Sequence, residues 1–341
     1  MPPLTAAPPA RTVLRRLTLQ RSVQVTATAW ITANLVALLV ADDALPFGWP
    51  GVPGSTVDHV VNTNLGMLTI FGLMAVTCLL TRNRVRPDLA TRAQDLAVAR
   101  RETVLLLTYG ALGLAGGYFF ARLFGWHPFG LHLAGSIFGT HDHVAPAEAI
   151  SWAAYNVVIY AVLPLAYFRR KYSAKQLNLV SSDRRGDARV IVVILLIESA
   201  IQFATLTTAF GQLTTGQYLI GLPLTFLLYL AGAVLPSMVF VYCILVPRFL
   251  KLTGSTATTV ILGGITYTLL HLWDAWTVLT SPANWLLSII FLFFTYFGPG
   301  MMKTVLTTRT ANAWTHIWAY HAVAPHTLID APHVAEIFHL R

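Results

Sequence analysis

Nine apolar runs, separated by short polar or turn-rich gaps, make up most of the chain. A helix that crosses a bilayer needs about 20 mostly apolar residues. The runs predict about nine spanning helices (eight to nine), because the second, eighth and ninth runs are the weakest. They are 22–41, 64–81, 103–124, 149–168, 189–210, 219–247, 257–276, 284–302 and 311–329. The predicted fold class is an all-α, polytopic transmembrane helix bundle.

The basic residues alternate along the chain with the apolar runs. Twenty-one of the 23 lysine and arginine residues lie in every second gap, beginning with the N-terminal tail. Cytoplasmic loops are rich in lysine and arginine, so the alternation predicts a cytoplasmic N-terminus and a C-terminus outside. We expect a plasma membrane of the bacterial type. A basic tail before an apolar run is also compatible with a cleaved signal, but a run of about 20 residues favours an anchor.

Composition restricts the class of protein and its partners. Charged residues make up 11% of the chain, against roughly 25% in an ordinary soluble domain, which excludes a soluble fold. The net charge of +9 is dispersed over many loops and does not form one face or one arm. We therefore expect membrane lipids as partners, and no nucleic acid.

Ionisable side chains inside the predicted spans are the first candidates for function, because they are costly in lipid. Glu198, His271 and His321 lie in the fifth, seventh and ninth runs, roughly 14 to 21 Å from the inner boundary at the rise of an α-helix. One carboxylate and two imidazoles at similar depth can bind zinc or another divalent metal and activate a water. The alternative is a structural hydrogen bond between helices.

Other histidines are weaker candidates. His316 precedes His321 by five positions, which is about 140° around an α-helix, so we expect the two on different faces. Asp274 is expected to be solvated near the outer end of its run. Histidines in the outer gap and the C-terminal segment can bind a metal, but a solvated role is favoured; they are His127, His132, His141, His143, His326, His333 and His339.

Four stretches in the second half of the chain form a set. They are the basic loop 168–179, the segment 242–248 that ends in Pro247-Arg248, the pair Tyr267 and His271, and the segment 298–321 with Gly298-Pro299-Gly300, Arg309-Thr310 and His321. The set resembles the motifs of the CPBP intramembrane metalloproteases, which include CAAX prenyl proteases and bacteriocin-processing relatives. The likeness implies packed helices around a polar chamber, where a glutamate activates water and two histidines and an asparagine bind metal or stabilise the oxyanion.

The chain departs from this family pattern at three places. Ser237 and Met238 stand where the paired glutamates are expected, Tyr242 replaces the arginine, and Pro325 replaces the asparagine. We expect Glu198 to replace the base from a neighbouring helix, so the predicted catalytic residues are Glu198, His271 and His321. The two histidines are the predicted metal ligands.

The resemblance also divides the chain. Residues 1–21 are a predicted disordered cytoplasmic tail, 22–150 form N-terminal transmembrane helices, 151–330 form a CPBP-like core, and 331–341 form a C-terminal tail.

Three functions remain open on the sequence. The first is an intramembrane metalloprotease-like protein that acts on prenylated or membrane-bound peptides. The second is a catalytically inactive relative that binds a lipid, a peptide or a partner helix, because the expected glutamates are missing. The third is a transporter or proton relay through Glu198 and the histidines, which ranks last because no internal repeat is visible.

Overall fold

The computed structural model describes residues 17–41, 45–47, 54–85, 87–135, 143–274 and 276–341. Within these ranges the chain forms nine long helices and no strand, so the predicted all-α fold class is confirmed. The helices are α1 (Arg21–Val40), α2 (Thr56–Leu80), α3 (Leu96–Leu123), α4 (Pro146–Arg169), α5 (Arg184–Phe210), α6 (Gln217–Thr253), α7 (Thr256–Leu269), α8 (Pro282–Thr310) and α9 (314–337).

Six of the described helices, namely α1, α2, α3, α4, α6 and α8, are long and apolar enough to span a membrane. This is the architecture of an integral membrane protein. The predicted span 257–276 is helical only in part, because α7 has 14 residues and ends at Leu269. His271 therefore lies just beyond the helix, in a turn. At the other end of the chain, α9 continues past the predicted boundary at 330 and ends at Ile337.

Local sequence signals explain where several helices begin and end. Ser55 caps α2: its hydroxyl accepts from the Asp58 N–H, while the Asp58 carboxylate accepts from the Ser55 N–H. Asp95 caps α3 with a single bond, in which its carboxylate accepts from the Val98 N–H. Gly254 ends α6 in the left-handed conformation, with φ 61°, which glycine adopts without strain.

The basic gaps meet at one end of the bundle, called here the basic end (81–95, 170–183, 253–256, 310–313 and the start of α1). Arg84 pairs with Asp187 at 2.5 Å, and Arg92 donates to the Ala311 oxygen at 2.9 Å. Two further bonds at this end join Arg309 to Thr81 and Ser255 to Gln20. The basic gaps thus lie together at one end of the bundle, while the orientation of that end in a membrane stays a prediction.

A buried ion pair ties α3 to α6 near the basic end. The Nε and Nη2 atoms of Arg248 lie 2.8 and 2.7 Å from Oε2 of Glu102. The Tyr172 hydroxyl donates to the same carboxylate oxygen at 2.8 Å. The guanidinium carbon also lies 4.6 Å from the centre of the Phe168 ring. Arg248 is 0% exposed and Glu102 1%, so both charges are removed from solvent and depend on each other.

The central helix of the bundle is α6. Every side chain from Met238 to Leu245 is buried, and the backbone of this stretch follows wide π-helical turns. A second stretch of π turns runs through α9, from Ile317 to Leu328. Ser237 and Met238, which replace the expected glutamates, are therefore in the buried centre of the fold, where π turns often accompany a functional site.

Candidate functional site

Five buried histidines, contributed by three parts of the chain, form a continuous cluster inside the bundle. Their ring centroids follow one another at 5.6 Å (His316 to His321), 5.0 Å (His321 to His326), 5.2 Å (His326 to His132) and 6.4 Å (His132 to His271). None is more than 4% exposed. Buried imidazoles rarely gather unless they bind a metal, a ligand or a proton, so this cluster is the candidate functional site.

The π turns of α9 bring its three histidines to one face. His316, His321 and His326 are five residues apart, and π geometry places residues i and i+5 near each other. The expectation that His316 and His321 lie on different faces is therefore wrong, since it assumed α-helical turns. The expectation that His326 is solvated is also wrong, because this side chain is 4% exposed.

His132 enters the cluster because the segment between α3 and α4 folds into the bundle. The Leu131 N–H donates to the Leu270 oxygen at 3.0 Å, directly beside the position of His271. The amide of Asn156 on α4 donates to the Gly130 oxygen at 2.8 Å and holds the segment from the other side. The prediction of a solvated outer loop is therefore wrong for His132, which is 2% exposed.

His132, His326 and Asp330 form a group able to hold a metal ion. One ligand atom from each residue lies within 4.8 Å of the other two. His326 Nδ1 is 3.1 Å from Asp330 Oδ2, and His132 Nε2 is 3.9 Å from the same oxygen. Burial lowers the pKa of His132 to about 3 against the opposing effect of Asp330, so its ring is neutral, as a ligand must be. Two imidazoles and a carboxylate are a donor set that suits zinc.

A backbone carbonyl group one helical turn earlier orients the His271 ring for ligand binding. Its Nδ1 lies 2.7 Å from the Tyr267 carbonyl oxygen, which can only accept, so Nδ1 carries the proton. Nε2 then has a free lone pair, and this buried atom has no hydrogen-bond partner among the described residues. Metal-bound histidines commonly show this arrangement of one nitrogen tied to a carbonyl. The ring is further fixed by stacking on Tyr296 at 3.8 Å.

His321 is held differently. Its Nε2 lies 3.2 Å from the Tyr267 hydroxyl, and its Nδ1 lies 3.4 Å from the Ser237 hydroxyl. Both nitrogens therefore have polar neighbours, while His271 has one free nitrogen. The aromatic residue of the predicted Tyr267–His271 pair thus contacts both predicted metal ligands, one through its hydroxyl and the other through its backbone. Their predicted role as a metal pair stays a prediction.

Glu198 is buried on α5 but does not contact the two histidines. Its Oε1 accepts from Gln202 on the same helix at 2.8 Å, and the residue is 3% exposed. Within the part of the chain that the structure describes, it makes no hydrogen bond or ion pair with His271 or His321. The structure therefore brings together two of the three predicted catalytic residues, and the role of Glu198 as a base stays a prediction.

A different carboxylate lies nearer the cluster. Asp274 follows His271 in the turn after α7, and its N–H donates to the His271 oxygen at 3.1 Å. Its carboxyl group faces the side chains of Tyr296 and Trp276. We expected Asp274 to be solvated, but it is 8% exposed, because the turn folds inward and does not continue the helix towards the membrane surface.

The other histidines proposed from the sequence lie at or near the surface where the structure describes them. His143 and His339 are exposed, and His127 and His333 are half-buried. His127 contacts Glu148, with 2.8 Å between Nδ1 and Oε1. His141 lies outside the described residues. The C-terminal signal that sequence reasoning missed is the pair of five-residue spacings in α9 followed by Asp330, four residues after His326.

The chain matches no protein-family model, no curated protein and no solved structure. The resemblance to CPBP metalloproteases therefore stays a prediction that rests on the four stretches of sequence.

Proposed function

We propose that this protein is an intramembrane metal-dependent hydrolase that acts on a membrane-bound peptide. The observation that carries the proposal is the buried group of His132, His326 and Asp330, with the free Nε2 of His271 beside it. Packing alone does not require such a donor set, because apolar side chains fill a helix interface at a lower cost in desolvation free energy. The same three groups are a donor set that zinc prefers. The CPBP-like stretches support the same class of reaction.

In this proposal each residue has a definite task. His132, His326 and Asp330 hold the metal, and His271 is its fourth ligand. A bound zinc ion would lower the pKa of a water and polarise the scissile carbonyl. Asp274, whose N–H donates to the His271 oxygen in the same turn, is the carboxylate that would accept the proton of that water. Tyr296 holds the ring of His271 in place.

The proposed setting is a plasma membrane with the basic end in the cytoplasm. The arginines and lysines at that end support this orientation, because cytoplasmic loops are rich in both. A membrane-bound or lipidated peptide is the proposed substrate, since the cluster lies among helices that are long and apolar enough to span the bilayer.

Metal analysis of the purified protein tests the proposal. We expect about one zinc ion per chain, and an affinity lowered at least tenfold, by about 1.4 kcal/mol or more, in His326→Ala and in Asp330→Asn. His339→Ala is the matched control, because His339 is exposed on the same C-terminal part of the chain. Retention of zinc with unchanged affinity in both cluster variants would contradict the proposed ligand set.

One observation favours a second candidate, an inactive relative that binds a peptide or lipid. Ser237 occupies the position of an expected glutamate and lies 3.4 Å from His321, where a hydroxyl cannot act as a base near neutral pH. Peptide cleavage by zinc-loaded protein in proteoliposomes separates the two. If the wild type cleaves no lipidated or transmembrane peptide, while the double variant Ser237→Glu and Met238→Glu does, the inactive relative is the correct description.

A further inference from the structure

A lysine side chain lies inside the bundle next to the histidine cluster. Lys303 belongs to α8, seven positions before its last residue, Thr310, which places it about 10 Å from the basic end. It is 2% exposed. Lysine is almost never buried to this extent unless it has a partner of opposite charge or a function.

Among the described residues, Lys303 Nζ makes no hydrogen bond and no ion pair. Its contacts are with aromatic rings: Nζ lies 3.7 Å from the centre of the Tyr267 ring and 5.9 Å from that of Tyr320. Cation–π attraction repays only part of the cost of taking an ammonium group out of water. The three N–H donors of Lys303 therefore have no hydrogen-bond acceptor among the described residues.

The buried acidic side chain on α5, Glu198, does not pair with Lys303. No direct ion pair joins the two among the described residues, and Oε1 of Glu198 accepts a hydrogen bond from Gln202 at 2.8 Å. Tyr320, on the face of α9 towards Lys303, has a hydroxyl with no hydrogen-bond partner among the described residues. The amine of Lys303 and the hydroxyl of Tyr320 therefore belong to neighbouring side chains, with 5.9 Å between Nζ and the ring centre, and neither group makes a hydrogen bond among the described residues.

We propose that Lys303 and the Tyr320 hydroxyl bind the carboxylate group of a membrane-embedded ligand. A carboxylate carries one negative charge and accepts two or more hydrogen bonds, which matches one ammonium and one hydroxyl. A phosphate, with more negative charge, would need further cations. The ligand is membrane-embedded because both residues lie within the helical layer of the bundle. The inference needs no metal and goes beyond the proposed hydrolase.

Binding of three probes with the same alkyl chain tests this inference. The full-length protein is placed in phosphatidylcholine nanodiscs, and its affinities for dodecanoate, dodecanol and dodecyl phosphate are compared. We expect at least a tenfold preference for dodecanoate over dodecanol, and its loss in Lys303→Met. Tyr320→Phe should reduce it. Lys251→Met, which changes a half-buried lysine at the basic end, should keep it.

Several results would overturn the inference. It is wrong if the wild type binds dodecanoate and dodecanol equally, if the preference survives in Lys303→Met, or if dodecyl phosphate binds more tightly than dodecanoate. Stability provides a second measurement, because loss of an unpaired buried charge should leave Lys303→Met with a Tm no lower than wild type in the absence of probe. His326→Ala should keep the preference for the carboxylate, so failure of the metal proposal and failure of this one are distinguishable.

Discussion

The substitution Glu102→Gln should destabilise the bundle by leaving Arg248 without its counter-ion. In the native protein, two nitrogens of Arg248 lie 2.8 and 2.7 Å from one oxygen of Glu102, and both residues are shielded from solvent. Removing one partner of such a pair typically costs about 3–5 kcal/mol, because the other charge stays buried.

Other contacts of Arg248 survive the substitution and therefore cancel in the comparison with the wild type. Arg248 still donates to the Ile244 oxygen at 2.6 Å and still lies against the rings of Phe168 and Tyr172, at 4.6 and 4.7 Å. Cation–π contacts of this kind contribute about 1–2 kcal/mol when desolvated. The expected loss therefore stays at about 3–5 kcal/mol, which corresponds to a fall in Tm of roughly 5 °C or more.

Thermal unfolding in detergent, followed by intrinsic fluorescence, measures this loss. Glu336→Gln is the matched control, because Glu336 is exposed on α9 and should change Tm by no more than about 1 °C. The double variant Glu102→Gln and Arg248→Met should be more stable than Glu102→Gln alone, since it removes the uncompensated charge. A Tm of Glu102→Gln equal to that of the control, or a double variant less stable than the single one, would contradict this prediction.

Two further predictions concern the histidine cluster. Tyr267→Phe should shift the imidazole NMR resonances of His321, because it removes the hydroxyl that lies 3.2 Å from Nε2. It should leave zinc binding unchanged, since the proposed ligands do not use that hydroxyl. Loss of zinc in this variant would instead favour the predicted metal pair His271 and His321. In metal-depleted protein, the folded pKa of His132 is about 3 against an ordinary 6.5, so the folded state binds fewer protons between these values. The free energy of unfolding should therefore be highest above pH 6.5 and fall as the pH is lowered towards 3. His132 should contribute roughly 1.4 kcal/mol per pH unit to this fall. His132→Gln should reduce that slope in denaturation curves recorded over a series of pH values. An identical slope in His132→Gln would mean that other groups carry the pH dependence.

Several helix ends can be predicted from local sequence signals alone. Ser55 and Asp58 form a capping box that can be read from four consecutive residues, and Asp95 and Gly254 mark helix ends just as directly. Each of these signals depends on residues close in sequence, so no tertiary information is required. The same applies to the ionisable residues buried in the spans: Glu198, His271 and His321 are all buried, as their apolar neighbours predict.

The histidine cluster cannot be predicted from local sequence signals. His132 lies in a gap with polar and small residues, and its burial depends on bonds from the neighbouring Leu131 and Gly130 to residues far along the chain, Leu270 and Asn156. His316, His321 and His326 share a face only because α9 adopts π turns. Packing and side-chain contacts select π over α geometry, and the spacing of apolar residues in α9 does not reveal it.

The helical bundle with alternating basic gaps follows from the order of the residues alone, because backbone groups in lipid must bond within their own helix and lysine and arginine favour the cytoplasmic side. Those constraints act on each segment separately. Which polar side chains meet depends on the packing of the helices, since the π turns of α9 and the position of the segment before α4 inside the bundle depend on contacts between distant parts of the chain. The packing therefore places Asp330 and His132 beside His326, Asp274 in the turn that carries His271, and the amine of Lys303 against aromatic rings.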